Sequence, residues 1–360
     1  MKNLINHSII FLLIIMSDKI MVMNIDMDTN SEQLNLLSYP DEITLNILDL
    51  TIKDIFEANK DNTIELFQEL VSFLGKISNT NQRFLNIAKS NDLNKIILRY
   101  MIDYNINVNF CNKNGISLLH GIAGKNFITL CQILLSHPNI EINIKIKSEI
   151  NNKTPLILAI EHKHNKIAKL IIQQNKTNIN EQGNWEETAL STAILYHNNE
   201  IAKLLINDKR VNVNTKDFLG DNNTLLKTIS RGNLEIFKIL IEHPDIDINM
   251  QSSTGTTPLI LACYYGLIDF VKLLVIKPII KINAKDINGN TALIYPTIFN
   301  CEEIVLLLLE HGADPTTTNK NGSSPQTLAK KLSHSKLIKL FAKKSTTKDL
   351  EQEQGDCTIS

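Results

Sequence analysis

The segment Thr254–Gly266, with the sequence TGTTPLILACYYG, contains the signals for the start and the end of one short helix. Gly255 lies two residues before Thr257, where glycine suits a tight turn with positive φ. Thr257 is a good helix N-cap, and Pro258 is tolerated at the first helical position because its missing N–H needs no partner there. The segment therefore predicts a turn, a capped helix and a second turn, with two adjacent tyrosines at the helix end.

The same signal recurs along the chain at a nearly constant interval. With Thr257 as the anchor, equivalent stretches begin at Arg83, Ser117, Thr154, Thr188, Asn223, Thr291 and Ser324. A second column of similar segments ends at Asn109, Asn143, Asn180, Asn214, Asn249 and Asn283, with Thr316 in the next slot. Both columns contain one interval of 37 residues among intervals of 33 to 35, and it falls in the same repeat. The chain is therefore built from internal repeats.

Each repeat contains a second apolar segment, such as IAKLLI at Ile201–Ile206 or FVKLLV at Phe270–Val275, which predicts a second helix. Gly232, Gly266 and Asn198 mark the predicted turn between the two helices. Two helices in about 34 residues cannot bury their apolar faces alone, whereas stacked neighbours can. The pattern predicts an all-α solenoid of helix-turn-helix units joined by extended loops.

These units resemble ankyrin repeats. The family signature T-P-L-H-x-A is matched by TPLILA from Thr154 and by TPLILA from Thr257, and EHGADP at Glu310–Pro315 resembles the exit of the family's second helix. The resemblance covers residues 81–344, as about seven repeats preceded by a half-repeat or a cap. It implies an ankyrin-repeat solenoid with β-turn or hairpin loops between the units.

Two departures from the family pattern carry structural predictions. The histidine of the signature is present only as His120, and apolar packing is expected to replace it elsewhere. Pro296 stands where the family prefers alanine, inside the first helix of its repeat. An interior proline removes a hydrogen bond and clashes with the preceding turn, so we expect a bent or shortened helix there.

The N-terminal residues 1–25 contain the apolar run Ile9–Met16, which is shorter than the roughly 20 residues of a membrane-spanning helix. Its length suits the core of a signal peptide. The alternatives are an apolar leader, or translation that starts at Met16 or Met21. Secretion or export follows in the first case and a cytoplasmic location otherwise. At the C-terminal end, the lysine-rich residues 328–344 are expected to form one capping helix. The polar residues 345–360 are expected to be a disordered tail.

Residues 35–80 show apolar residues at helical spacing and precede the repeats. Their beginning loosely resembles an F-box, a helical module that docks on Skp1 in ubiquitin ligases. The docking residues implied by this resemblance are Pro40, Asp41, Glu42, Ile43, Ile47 and Leu48. The alternative is a helical cap that closes the apolar end of the solenoid, which terminal repeats require. The two roles are compatible.

The sequence offers no catalytic motif. It contains no glycine-rich phosphate loop, no G-x-S-x-G and no H-E-x-x-H, and its five cysteines are scattered without a CxxC pair. The net charge of -1 argues against nucleic acid as the main partner. We therefore expect no enzyme activity, no cofactor and no metal. The expected protein is a monomeric interaction scaffold, or an F-box-type adaptor that recruits Skp1, and either type of protein suits a microbial effector.

The resemblance also implies a binding surface. In ankyrin repeats the two residues before the turn between the helices point into the concave surface that holds a protein partner. In this sequence these pairs are Gly124/Lys125, Glu161/His162, Leu195/Tyr196, Ser230/Arg231, Tyr264/Tyr265 and Ile298/Phe299. We call the second members the inner row: Lys125, His162, Tyr196, Arg231, Tyr265 and Phe299. Arginine and aromatic residues are enriched at binding hot spots, so this row is the predicted site.

Two loop residues complete the predicted site. Trp185 and Phe218 precede the repeats of Tyr196 and Arg231 and are expected to flank the inner row. The alternative is that these aromatic rings pack on one another and on neighbouring helices, and contribute to stability instead of binding.

Overall fold

The structure, a computed structural model, describes residues 41–59, 91–112, 115–146, 152–216 and 223–343. The predicted leader, Pro40, Phe218 and the predicted tail lie outside the described residues. The chain divides into two compact units. Unit 1 comprises Met1–Phe110 and Phe127–Ile140, and unit 2 comprises Cys111–Asn126 and Glu141–Ser360.

The described residues form α-helices and connecting turns, with no strand among them beyond two isolated antiparallel bridges, Cys111 with Ser117 and Lys216 with Asn223. This confirms the predicted all-α fold. The helices are α1 Asp41–Asn59, α2 Asn91–Asp103, α3 Leu118–Lys125, α4 Ile128–Ser136, α5 Pro155–Glu161, α6 Asn165–Ile172, α7 Ala189–Leu195, α8 Asn199–Ile206, α9 Thr224–Ser230, α10 Leu234–Leu240, α11 Pro258–Tyr264, α12 Ile268–Val275, α13 Ile294–Ile298, α14 Glu302–Glu310, α15 Pro325–Lys331 and α16 over residues 335–343.

In unit 1, helix α1 packs against α2, and α2 packs against α4. Phe56 of α1 is fully buried, and its ring centroid lies 5.6 Å from that of Tyr100 on α2. Arg99 pairs with Asp49 at 2.7 Å across the same contact. Helix α1 thus shields the apolar face of α2, as a capping helix does. The residues implied in Skp1 docking, apart from Pro40, lie in the first half of α1: Asp41, Glu42, Ile43, Ile47 and Leu48.

In unit 2, the first and second helices of the repeats form two layers. The first helices pack in chain order, from α3 on α5 to α13 on α15. The second helices pack in the same order, from α6 on α8 to α12 on α14, and each contacts the first helix of its own repeat. Every repeat contributes apolar side chains to the core between the layers. A single repeat therefore cannot bury these side chains by itself.

The first helices begin at the predicted caps. Six N-cap side chains accept a hydrogen bond from the backbone N–H three residues later: Ser117, Thr154, Thr188, Asn223, Thr257 and Ser324. Pro155, Pro258 and Pro325 follow three of them at the start of the helix. The glycines two residues before the anchors have positive φ, for example 74° at Gly255. The local signals read from the sequence therefore place these helices correctly.

The turn between the two helices of a repeat contains one residue in the left-handed conformation. It is Gly232 or Gly266 in two repeats and His197 in another. Asn198 lies between the two helices, as predicted, and its side chain accepts a hydrogen bond from the N–H of Ile201 and caps the second helix.

The asparagine column connects consecutive repeats. In each case the side-chain amide donates to a backbone carbonyl of the next repeat, and its oxygen accepts from the N–H two residues further on. Asn214 donates to the carbonyl of Asp245 at 2.6 Å and accepts from the N–H of Asp247 at 3.0 Å. Five residues of unit 2 do this: Asn143, Asn180, Asn214, Asn249 and Asn283.

His120 provides another link between repeats. Its Nδ1 accepts from the backbone N–H of Ser117 at 3.1 Å, so the proton lies on Nε2, which donates to the carbonyl of Lys153 at 2.9 Å. The ring is buried, and this burial lowers the pKa of His120. Buried aliphatic residues fill the equivalent slot in other repeats, as expected: Ile157, Leu226, Ile260 and Ile294. Ser191 and Thr327 are exceptions, because their hydroxyls form capping boxes with Thr188 and Ser324.

The effect predicted for Pro296 is confirmed. Helix α13 has five residues, whereas α5, α7, α9, α11 and α15 each have seven. Pro296 has no N–H to donate to the carbonyl four residues earlier, so the α-helix begins two residues later than in those repeats, at Ile294. The N–H of Ile294 still donates to the carbonyl of Thr291 and closes a turn. The side-chain cap is missing, because the Oγ1 of Thr291 is buried and has no hydrogen-bond partner.

The sequence predicted one continuous helix over residues 328–344, and this prediction was wrong. Helix α15 ends at Lys331 and α16 begins at residue 335. Ser333 adopts the left-handed conformation with φ of 58°, and the N–H of His334 donates to the carbonyl of Ala329. The turn between the two helices of a repeat is thus present here without a glycine.

We expect Asn214→Ala to lower the free energy of unfolding by about 1–2 kcal/mol, because two hydrogen bonds between repeats are lost. The matched control is Asn207→Ala, since the Asn207 amide donates only to the carbonyl of Lys203 in its own helix. Urea denaturation of both variants measures the difference. Equal effects would show that the asparagine column does not hold the repeats together.

The buried His120 predicts a pH dependence of stability. A lowered pKa in the folded state means that the unfolded chain binds the proton more readily. The contribution of His120 to stability is therefore complete above its ordinary pKa of 6.5 and is lost as the pH falls below it. His120→Ile should lose less stability than the wild type between about pH 7.5 and about pH 5.5. Identical losses in urea denaturation would contradict this role.

Candidate interaction surface

The inner row lies at the C-terminal ends of the first helices of unit 2. His162, Tyr196, Arg231, Tyr265 and Phe299 are the C-cap residues of five of these helices. Lys125 is the last residue of α3. Because the first helices pack on one another in order, the row takes one side chain from each successive repeat.

Most of the inner row is open to solvent. Tyr265 is 51% exposed and Phe299 is 58% exposed, which are large fractions for aromatic side chains. Lys125, His162 and Arg231 are also exposed, whereas Tyr196 is half-buried. The surface thus combines exposed rings with exposed cationic groups.

Tyr196 is held by a hydrogen-bond network with the preceding repeat. Its hydroxyl donates to Glu161 Oε1 at 2.7 Å, and Lys153 Nζ lies 2.5 Å from Glu161 Oε2. The hydrogen bond to the Glu161 carboxylate raises the pKa of Tyr196 to about 12. Burial opposes ionisation of Glu161, but the hydrogen bonds from Lys153 and Tyr196 outweigh it and lower the pKa of that carboxyl. Tyr196 is therefore a fixed element of the surface.

Three tyrosine rings form a cluster at the next repeats. The Tyr264 ring lies edge-on to that of Tyr265 with a centroid distance of 5.2 Å, and edge-on to that of Tyr295 at 5.3 Å. The Tyr295 hydroxyl donates to Asp286 Oδ2 at 3.1 Å. Tyr264 and Tyr265 remain half exposed despite these contacts. The rings thus support one another and also leave faces available.

The sequence reasoning missed the next member of the row. Leu332 is the C-cap residue of α15 and is 42% exposed. It lies 33 residues after Phe299, an interval that the repeats themselves show. The position was overlooked because the sequence around it was assigned to a continuous helix. With Ile298, which is also exposed, Leu332 extends the aromatic part of the row with aliphatic surface.

Of the two residues predicted to flank the inner row, Trp185 lies in the described part of the chain and Phe218 does not. Trp185 is 61% exposed and lies in a 3-10 turn, Asn184–Glu186, before α7. Trp185 and Glu186 both have positive φ. The role of Trp185 beside the inner row stays a prediction. The ring of His162 stacks on that of His164, with a centroid distance of 5.7 Å.

Within the described ranges, no group of three histidine, cysteine, aspartate or glutamate side chains is arranged to hold a metal ion. None of the helices in the part of the chain that the structure covers is long and apolar enough to cross a membrane.

The comparisons with known proteins agree with the repeat fold. The family model for ankyrin repeats (3 copies) matches residues 143–217 and 225–319. The ankyrin repeat domain of Bcl-3, a member of the IkappaB protein family, is 19% identical, with a TM-score of 0.53 over 60% of this chain and 95% of that chain. An ankyrin repeat domain from Acinetobacter baumannii AYE is 28% identical, with a TM-score of 0.49 over 53% of this chain and 97% of that one.

A search of curated protein sequences found no match. The residues that the family model matches lie within the repeat region recognised from caps and spacing, and the likeness to the Bcl-3 domain shows the same fold. The chain therefore carries an array of ankyrin repeats.

Proposed function

We propose that this chain is a non-catalytic scaffold that binds a protein partner on the inner row. Ankyrin repeats generally act as protein–protein interaction modules. The observation that carries the proposal is the exposure of Tyr265 and Phe299 at equivalent positions of neighbouring repeats. Aromatic residues and arginine are the types that most often dominate binding energy at protein interfaces.

The folded state does not depend on these rings for its core. In α11 the buried side chains are Pro258, Leu259, Ile260, Ala262 and Cys263, which form the packed face of the helix. Tyr265 follows this face at the C-cap, where only its backbone N–H bonds to the helix. A side chain at such a position can be exchanged at little cost in stability, and the same position is therefore suited to recognition.

The exposed apolar residues come from neighbouring repeats, and this also supports the proposal. A single exposed apolar residue is normal on a protein surface, whereas a continuous apolar patch is a feature of interaction sites. Here the exposed apolar residues come from three successive repeats: Tyr264, Tyr265, Ile298, Phe299 and Leu332. In this proposal helix α1 caps unit 1, and recruitment of Skp1 is not required for binding.

We expect Tyr265→Ala and Phe299→Ala each to weaken binding about tenfold or more, as hot-spot substitutions do. The partner is first captured with the full chain and purified, and its Kd is then measured by isothermal titration calorimetry. The melting temperature should remain nearly unchanged. The matched control is Leu204→Ala, which removes a 38% exposed leucine on α8 in the second-helix layer.

Two results would contradict the proposal. One is a loss of more than about 2 kcal/mol of stability in Tyr265→Ala, which would assign the ring to the core. The other is a Kd that changes as much in the control as in the two aromatic variants.

A further inference from the structure

We infer that the partner binds through a segment in which a carboxylate pairs with Arg231 and apolar side chains cover Tyr265 and Phe299. This inference rests on the proposed function and specifies the chemistry of the partner. Three observations support it. The Arg231 guanidinium has no hydrogen bond or ion pair with a described residue, other charged side chains of the chain are paired, and the surface beside Arg231 is apolar.

Arg231 differs from the other arginines that the structure describes. Only four of the 37 Lys and Arg residues are arginines, so arginine is unusual in this sequence. Arg99 donates to Asp49 at 2.7 Å, and Arg210 donates to Asp208 at 2.6 Å. The exposed guanidinium of Arg231 forms no hydrogen bond or ion pair with any described residue. A guanidinium is a planar donor that binds a carboxylate through two parallel hydrogen bonds.

The Glu161 carboxylate, which contacts Tyr196 of the inner row, already has partners. Glu161 accepts from Tyr196 and pairs with Lys153. On the second-helix layer, three lysines are likewise paired with glutamates of the next repeat: Lys169 with Glu200, Lys203 with Glu235, and Lys272 with Glu303. These pairs connect repeats, whereas Arg231 has no carboxylate partner among the described residues.

The surface that follows Arg231 in the row is apolar. Tyr265, Phe299 and Leu332 come from the next three repeats, and all are exposed. Packed helices lie about 8–10 Å apart, and an extended chain advances roughly 3.3 Å per residue. One repeat therefore corresponds to roughly three residues of an extended segment. We expect an acidic residue separated by about this interval from apolar residues, in either chain direction.

The test is a selection from a library of random 12-residue peptides displayed on phage, with the immobilised full chain as the target. The expected result is enrichment of peptides in which Asp or Glu lies about three positions from aromatic or aliphatic residues, on either side. A selected peptide is then synthesised in two forms, with its acidic residue retained or replaced by lysine. Fluorescence anisotropy measures the binding of both forms.

The acid-to-lysine peptide should bind the wild type about tenfold more weakly or worse, and Arg231→Glu should restore its binding. Arg231→Lys keeps the charge but loses the planar fork, and should weaken the acidic peptide less than Arg231→Glu does. The matched control is Lys238→Glu, which makes the same charge change at an exposed position of α10 in the same repeat. It should leave binding unchanged.

The possible failures are distinguishable. Peptides whose binding depends on Tyr265 and Phe299, but is unaffected by Arg231→Glu or by loss of the acidic residue, would overturn the carboxylate inference and leave the proposed function intact. A selection that enriches no peptide, or only peptides that bind Tyr265→Ala and Phe299→Ala as tightly as the wild type, would contradict both.

Discussion

In unit 2, five consecutive repeats are each connected to the next by one asparagine amide that bridges a carbonyl and an N–H of the following loop. No pair of short helices buries its own apolar faces, so the repeats are stable only as neighbours. Apolar burial supplies the driving force but little directionality. The asparagine bonds fix how far each repeat is displaced from the last, and thereby place equivalent side chains of successive repeats next to one another.

The regular displacement of successive repeats connects the fold with the proposed binding surface. The side chain at the C-cap position of the first helix is not part of the core, because only the backbone N–H of that residue bonds to the helix. Its side chain is free to differ from one repeat to the next. The chain uses lysine, histidine, tyrosine, arginine and phenylalanine at the same position. The fold sets the spacing of these C-cap positions, and the side chains placed there determine which partner can bind. The fold by itself therefore does not define the function.

The helix caps, the glycine turns, the shortened helix at Pro296 and the positions of the inner row were predictable, because each depends on residues close in sequence. The remaining features depend on contacts between repeats. The partner of Tyr196 lies 35 residues away, at Glu161. The role of the asparagine column was hidden by a composition rich in asparagine. Leu332 was missed because Ser333 occupies a left-handed turn for which glycine is the usual sign.

The central claim is that a protein partner covers the inner row. Its most direct test is photo-crosslinking in cells, with p-benzoylphenylalanine placed at position 265, 299 or 238 of the full chain. Positions 265 and 299 lie in the inner row, whereas Lys238 is exposed on α10. We expect positions 265 and 299 to crosslink to one common protein and position 238 not to. Crosslinking of that protein from 238 but from neither 265 nor 299 would show that the inner row is not the binding surface.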